Sequence, residues 1–120
     1  MLRNSDSFVL GAFQAAEIIG MLGFRRQARV KRRHKGMIWG MFVRKSARRR
    51  GIGRALLEDA IMRARENSDL VQIQLSVVEG RDIAAKLYAS LGFKDYGRES
   101  RAFFAEGEYY DERLLALDLD

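Results

Sequence analysis

The chain has 120 residues, 48% of them hydrophobic, with 22 Lys and Arg against 16 Asp and Glu, a net charge of +6. That length holds one domain, expected over 1–120, and the apolar fraction supports a packed core, which excludes wholesale disorder. Zero cysteines and one histidine, His34, exclude a disulfide scaffold, a thiol nucleophile and a multi-histidine metal site, so no metal is expected.

In chain order, Ser7–Gln14 and Glu17–Phe24 are short apolar segments with a tight connection, the pattern of a hairpin. Met37–Val43 is a near-continuous apolar run, expected as a strand buried on both faces. Ile52–Ala64 carries Ile52, Leu56, Ala60 and Ala64 at helical spacing, widened by Ala55, Leu57 and Ile61. Val71, Ile73, Leu75 and Val77 alternate with polar residues, as a strand does. Ile83, Ala84, Leu87, Tyr88 and Leu91 return to helical spacing, with Gly92 where a C-terminal cap belongs and Asp82 as an N-cap before Ile83. Phe93–Arg101 and Tyr109–Leu119 read as two more strands joined through Glu106-Gly107. The order β-β-β-α-β-α-β-β predicts a mixed α/β (α+β) sheet of about six strands with two main helices. No apolar run approaches the roughly 20 residues of a membrane span, so no membrane partner is expected, and a cysteine-free chain fits a reducing, cytoplasmic setting.

The charge is concentrated. Arg25 to Arg54 contains 13 Lys and Arg and no acid, which leaves −7 on the remainder. Such a block points to an anionic partner met at one place. Arg25–Lys35 lies between strand-like segments and reads as an exposed loop. Arg44–Arg54 runs directly into a helix, and glycines at Gly51 and Gly53 let backbone amides of the helix's first turn approach an anion. A dinucleotide-binding glycine fingerprint fails at Leu56, and a P-loop fails at Arg54-Ala55.

The pattern that fits is [Q/R]-x-x-G-x-[G/A], present as Arg48-Arg49-Arg50-Gly51-Ile52-Gly53. It resembles the pyrophosphate loop of the GNAT N-acetyltransferase superfamily. Downstream, Ala84-Ala85-Lys86-Leu87-Tyr88-Ala89-Ser90-Leu91-Gly92-Phe93 resembles that family's A-x-x-L-Y-x-x-x-G-F segment, with the strand Val71–Val78 in between. The resemblance spans roughly Phe8–Leu119 and implies a GNAT-like, mostly antiparallel sheet and acetyl-CoA as the acyl donor. Arg48, Arg49, Arg50 and Arg54 then offset phosphate charge, and Gly51, Ile52 and Gly53 offer amides. A backbone amide around Met41, Phe42 or Val43 serves the oxyanion, and Tyr88 is the acid for the departing thiolate. The reaction implied is direct acetyl transfer to the neutral amine of an unidentified acceptor in a ternary complex.

Two departures bear on that expectation. Arg81 stands where many members have an asparagine, and the usual first strand and two helices are not evident before Ser7. A shortened sheet cover leads us to expect an exposed apolar face and self-association through it. Glu17, Glu79, Glu108 and His34 are considered as bases, and none is assigned. The rivals are a GNAT-like fold that binds acyl-CoA without catalysis, and a nucleic-acid or ribosome-associated module using the basic segments. With Trp39 and Phe42 in a core strand, stacking platforms are lacking, so nucleic acid is not expected as a partner.

Overall fold

A computed structural model describes residues 7–120. The elements are β1 (Ser7–Gln14), β2 (Glu17–Arg26), β3 (Lys35–Val43), α1 (Ile52–Arg65), β4 (Gln72–Val78), α2 (Asp82–Ser90), β5 (Lys94–Ala105) and β6 (Glu108–Asp118). The six strands form one sheet of order β1-β2-β3-β4-β6-β5, and the pairs β1–β2, β2–β3 and β5–β6 are antiparallel. The mixed architecture expected from the sequence is therefore present. The chain divides into two compact units, one running to Ile73 with Leu119–Asp120, the other Gln74–Asp118.

In the first unit, α1 packs on β1, β2 and β3. Its buried side chains are Leu56, Leu57, Ala60, Ile61 and Ala64, the i, i+1, i+4, i+5, i+8 stripe of an amphipathic helix. Ala55 lies outside that stripe and is exposed. On the strands the same face carries Phe8, Leu22, Phe24 and Ile38. Phe24 is fully buried and stacks on Phe8 with ring centroids 4.8 Å apart. Two glycines make room for rings on opposite faces. A Cβ at Gly36 would lie 2.3 Å from the Phe24 ring, and one at Gly23 would lie 2.2 Å from the Trp39 indole.

Strand β3 departs from expectation. It is buried on one face only: Trp39 is 42% and Phe42 46% exposed, and with Val9 (57%) and Phe13 (65%) they form an apolar surface away from α1. An apolar run reads as doubly buried only when something covers both faces. The ends of the basic loop also differ. β2 continues to Arg26 and β3 begins at Lys35, so Arg26 is part of a strand and is buried (8% exposed). Its aliphatic stem enters the core, while its guanidinium donates to the Arg33 carbonyl and faces Asp69 at 3.9 Å.

In the second unit, Ile73 being the last residue of the first, β4 continues the buried alternation through Leu75 and Val77. Helix α2 buries Tyr88, and Gly92 (φ +101°) closes it in the left-handed region, with the Gly92 amide on the Ala89 carbonyl and the Phe93 amide on the Tyr88 carbonyl. Two expectations are corrected here. Ile83 is 86% exposed rather than on the buried stripe. The N-cap is Arg81, without a side-chain cap, and Asp82 lies in the first turn, where a carboxylate still complements the helix dipole. The β5–β6 hairpin turns through Glu106 (φ +52°) and Gly107 (φ +80°), both left-handed as a tight two-residue turn requires. β5 runs four residues beyond Arg101, and the Asp111 carboxylate accepts the Arg101 amide where the register shifts.

The two glycine contacts predict unequal costs. Gly36→Ala drives a methyl into a ring locked in the core and should destabilise the protein by about 2–3 kcal/mol. Gly23→Ala meets a half-exposed indole that can swing outward, and should cost about 1 kcal/mol. Urea unfolding measures both, and only the second variant should red-shift the emission of the single tryptophan.

Candidate phosphate-binding site

The segment between β3 and α1 is built to expose amides. After Val43 the chain makes a short 3-10 turn, Lys45–Ala47, anchored by the buried Ala47 (1% exposed). Arg49 (φ +68°) and Gly51 (φ +75°) then both occupy the left-handed region. Gly51 is the N-cap of α1, and its carbonyl accepts the Ala55 amide at 3.0 Å, the first helical hydrogen bond. No side chain caps this helix. Its leading amides, at Ile52, Gly53 and Arg54, therefore have no intrahelical acceptors and point out of the helix end. A Cβ placed on Gly51 would meet nothing within 4 Å, so the space beside this turn is open.

The helix start is held against the sheet at Gly20. A Cβ there would lie 3.1 Å from Ile52 Cγ2, 3.4 Å from Leu56 Cδ1 and 3.3 Å from the Phe42 carbonyl oxygen. Glycine lets α1 begin this close to β2 without displacing these neighbours, which any larger residue would push by a few tenths of an ångström or more. The loop arginines differ in their engagement. Arg48 Nε donates to the Val43 carbonyl at 3.2 Å, and Arg50 Nη1 donates to Gln14 Oε1 at 3.2 Å across the β1–β2 turn. Arg44 pairs with Glu17 at 2.8 Å. Arg44, Arg48, Arg49, Arg50 and Arg54 are all exposed. Uncapped amides, positive helix-end potential, open space and surrounding guanidinium groups are the features a pyrophosphate needs, so these residues fit that group.

Two features of β3 escaped the sequence reading. Gly40 (φ +60°) and Met41 both lie opposite Leu22, because Met21 pairs with Phe42 and Gly23 with Trp39, which makes a β-bulge in mid-strand. A glycine inside the run Met-Ile-Trp-Gly-Met-Phe-Val was the available signal. The second feature is direction. The Arg44 amide donates to the Ile19 carbonyl at 2.7 Å, and the Phe42 carbonyl faces Gly20. Backbone groups alternate along a strand, so those of Val43 face the edge of β3 away from β2.

Tyr88 lies in the second unit. It is 9% exposed, with its ring edge-on to Phe93 at 5.9 Å, and burial raises its hydroxyl above the ordinary tyrosine pKa. The carboxylates considered as bases are engaged elsewhere: Glu17 with Arg44, Glu79 with Arg98, and Glu108 accepting the Tyr110 hydroxyl at 3.2 Å. His34 is exposed, and its carbonyl accepts the Val71 amide at 2.8 Å. Among the described residues no group of three or more His, Cys, Asp and Glu is placed to hold a metal ion, and no helix is long and apolar enough to cross a membrane.

The profile of the acetyltransferase (GNAT) family matches residues 1–93. Among solved structures, a GNAT-family acetyltransferase from Streptococcus pneumoniae is 28% identical with a TM-score of 0.89, covering 97% of this chain and 68% of that one. A Salmonella typhimurium acetyltransferase solved with its cofactor acetyl-CoA is 20% identical, TM-score 0.85, covering 97% and 66%. Ribosomal-protein-alanine N-acetyltransferase from Brucella melitensis is 24% identical, TM-score 0.84, covering 94% and 69%. The last two similarities are of fold alone. No curated protein matches the sequence.

Loop geometry makes a stability prediction of its own. Arg49 is held where a side chain is disfavoured, so Arg49→Gly should stabilise the fold by about 0.5 kcal/mol, the strain relieved exceeding the entropy added to the unfolded chain. Gly51→Val places a branched side chain in the same region and should cost about 2 kcal/mol. Thermal unfolding should therefore move in opposite directions for two substitutions two residues apart.

Proposed function

The chain belongs to the GNAT acetyltransferase family, and from that premise we propose that it transfers the acetyl group of acetyl-CoA to an amine acceptor. The observation that carries this reading is the α1 start: an uncapped helix N-terminus entered through a left-handed Gly51 with open space beside it. In this reading the Gly51, Ile52 and Gly53 amides hold the pyrophosphate, while Arg49, Arg50 and Arg54 supply positive charge. Arg48 acts mainly through its bond to the Val43 carbonyl, tying the loop to the strand that carries the reaction.

In this reading the acyl donor reaches the Val43 end of β3. The Val43 backbone points away from β2, and the bulge at Gly40–Met41 re-aims the backbone one turn of the pleat earlier. In this reading a backbone amide at the Val43 end of β3, around Met41 or Val43, stabilises the oxyanion, whereas the Phe42 carbonyl faces Gly20. Acceptor nitrogen attacks the thioester carbon, the tetrahedral intermediate collapses, and the carbon–sulfur bond breaks. Net proton flow runs from nitrogen to sulfur. Tyr88 hands its proton to the leaving sulfur and recovers one from the nitrogen side, directly or through water. Because burial raises its pKa, Tyr88 remains a phenol throughout the neutral range. A cysteine-free chain is compatible with work in a reducing, cytoplasmic setting.

Calorimetry with CoA tests the seat: Gly51→Val should weaken binding by about tenfold or more, and an unchanged affinity contradicts it. An acetyl-CoA turnover assay over an amine panel tests the chemistry. Tyr88→Phe should lower kcat about 100-fold with little change in acetyl-CoA affinity, within the range for loss of a general acid. The pH profile follows from the direction of the Tyr88 shift. Burial moves its titration above that of an ordinary tyrosine, about 10, so no alkaline decline attributable to this group should occur in the neutral range. Folding stability linked to Tyr88 should also fall as pH rises past about 10, because the unfolded chain ionises first. Tyr88→Phe should remove that decline.

A further inference from the structure

The second basic cluster is not used by this reaction. It sits in the β2–β3 connection, at the Arg26–Gly36 end of that strand pair, whereas the phosphate loop follows the Gly20–Val43 end. Six residues of β2 separate the two, about 20 Å at strand spacing. Here a cavity of about 600 Å³ is lined by Arg29, Val30, Lys31, Arg32, His34 and Lys35. Val30, Lys31 and Arg32 form a 3-10 turn that buries none of its side chains, and Val30 is 86% exposed. The acid nearest in contact, Asp69, faces the buried Arg26 at 3.9 Å. Among the described residues no carboxylate pairs with Arg29, Lys31, Arg32 or Lys35. Like charges held this close repel one another, and the cluster is stabilised by a polyanion.

A second observation selects among polyanions. On the face of β3 away from α1, Met37 pairs with Arg25 and Trp39 pairs with Gly23. The Trp39 ring covers Gly23, with Cε2, Cδ2 and Cζ2 within 2.5 Å of the Cβ position there. One face of the indole therefore lies against the Gly23 backbone, and the residue keeps 42% of its surface exposed. Arg25, exposed, stands one same-face step further along the strand, about 7 Å away. The expectation that Trp39 is a core residue is thus overturned, and with it the argument that no stacking platform exists. Cations alone would suit an acidic peptide equally. A flat, backed aromatic beside them suits bases joined by phosphodiesters, and arginine forks match phosphate geometry.

The geometry points to a single-stranded nucleic-acid site, with Arg25, Arg29, Lys31, Arg32 and Lys35 on the phosphates and Trp39 stacking on a base. It is independent of acetyl transfer and of the α1 phosphate seat. The test uses the full chain and an unstructured, fluorescein-labelled RNA of about 12 nucleotides, with anisotropy read from roughly 50 to 200 mM KCl. The single tryptophan gives a second readout, on unlabelled RNA. Binding should weaken linearly in log–log salt, and Trp39 emission should be quenched along the same curve. The triple variant Arg29→Glu, Lys31→Glu, Arg32→Glu should bind at least about tenfold more weakly and flatten the salt slope by about 2, three single-strand phosphate contacts. Trp39→Leu should lose about tenfold with the slope unchanged, and Trp39→Phe should recover part of it. CD spectra of each variant matching the parent's verify that the fold is kept.

Four results would overturn the proposal. They are a triple variant that binds as tightly as the parent, binding without tryptophan quenching, a polyglutamate peptide that competes as well as RNA does, and an indole already buried by self-association in sedimentation and emission titrations. Calorimetry with CoA on the triple variant keeps the two sites apart. Unchanged CoA affinity with lost RNA binding is the expected pair, and failure of CoA binding in every variant, parent included, would count against the acetyl-CoA reading and not this one.

Discussion

The close approach of α1 to β2 at Gly20 is the constraint on which the first unit depends. A Cβ there would crowd Ile52 Cγ2 at 3.1 Å and the Phe42 carbonyl oxygen at 3.3 Å, so even a methyl group requires its neighbours to give by a few tenths of an ångström. With glycine, the helix can begin almost on the sheet, and the chain must reverse from β3 into it within a few residues. That reversal is achieved by a buried Ala47 and two left-handed residues, Arg49 and Gly51. It leaves the first amides of α1 uncapped and aimed outward. The proposed anion seat would thus follow from how tightly helix and sheet are joined, rather than being a feature added to a finished fold.

The same junction fixes the direction of the strand. Because Arg44 and Phe42 turn their backbone groups toward β2, Val43 turns its own to the opposite edge. Arg48 reaches back to the Val43 carbonyl, so the loop and the end of β3 are one connected piece. The bulge at Gly40–Met41 interrupts the ladder partway along that strand. The end of β3, its bulge and the start of α1 are thus joined through the loop that the acetyl-transfer proposal uses.

Much of this was legible in the sequence. The alternation at Ile73, Leu75 and Val77, the stripe from Leu56 to Ala64 and the glycine at Gly92 report local periodicity and cap chemistry, which the chain carries on its own. The Gly51 turn was legible because few residue types suit an open, left-handed helix entry. What was hidden depends on surroundings. Trp39 and Phe42 lie in an apolar run whose exposure is decided by what covers the sheet, and Ile83 has helical spacing but faces out. Arg26 looks like a loop cation and is buried, because its guanidinium reaches the Arg33 carbonyl. Arg49 has no sequence mark of its left-handed backbone. The bulge was marked only by Gly40, inside a run that otherwise reads as uninterrupted strand.

The most direct test of the central account is amide chemical-shift mapping of the α1 entry. On titration with CoA, and separately with inorganic pyrophosphate, the backbone amides of Gly51, Ile52 and Gly53 should shift together and saturate with each ligand's binding curve. The Val43 amide should move with CoA but not with pyrophosphate, since only the longer ligand reaches the Val43 end of β3. Shifts confined to other segments, with Gly51–Gly53 unmoved by either ligand, would contradict the assignment of this helix start as the phosphate seat.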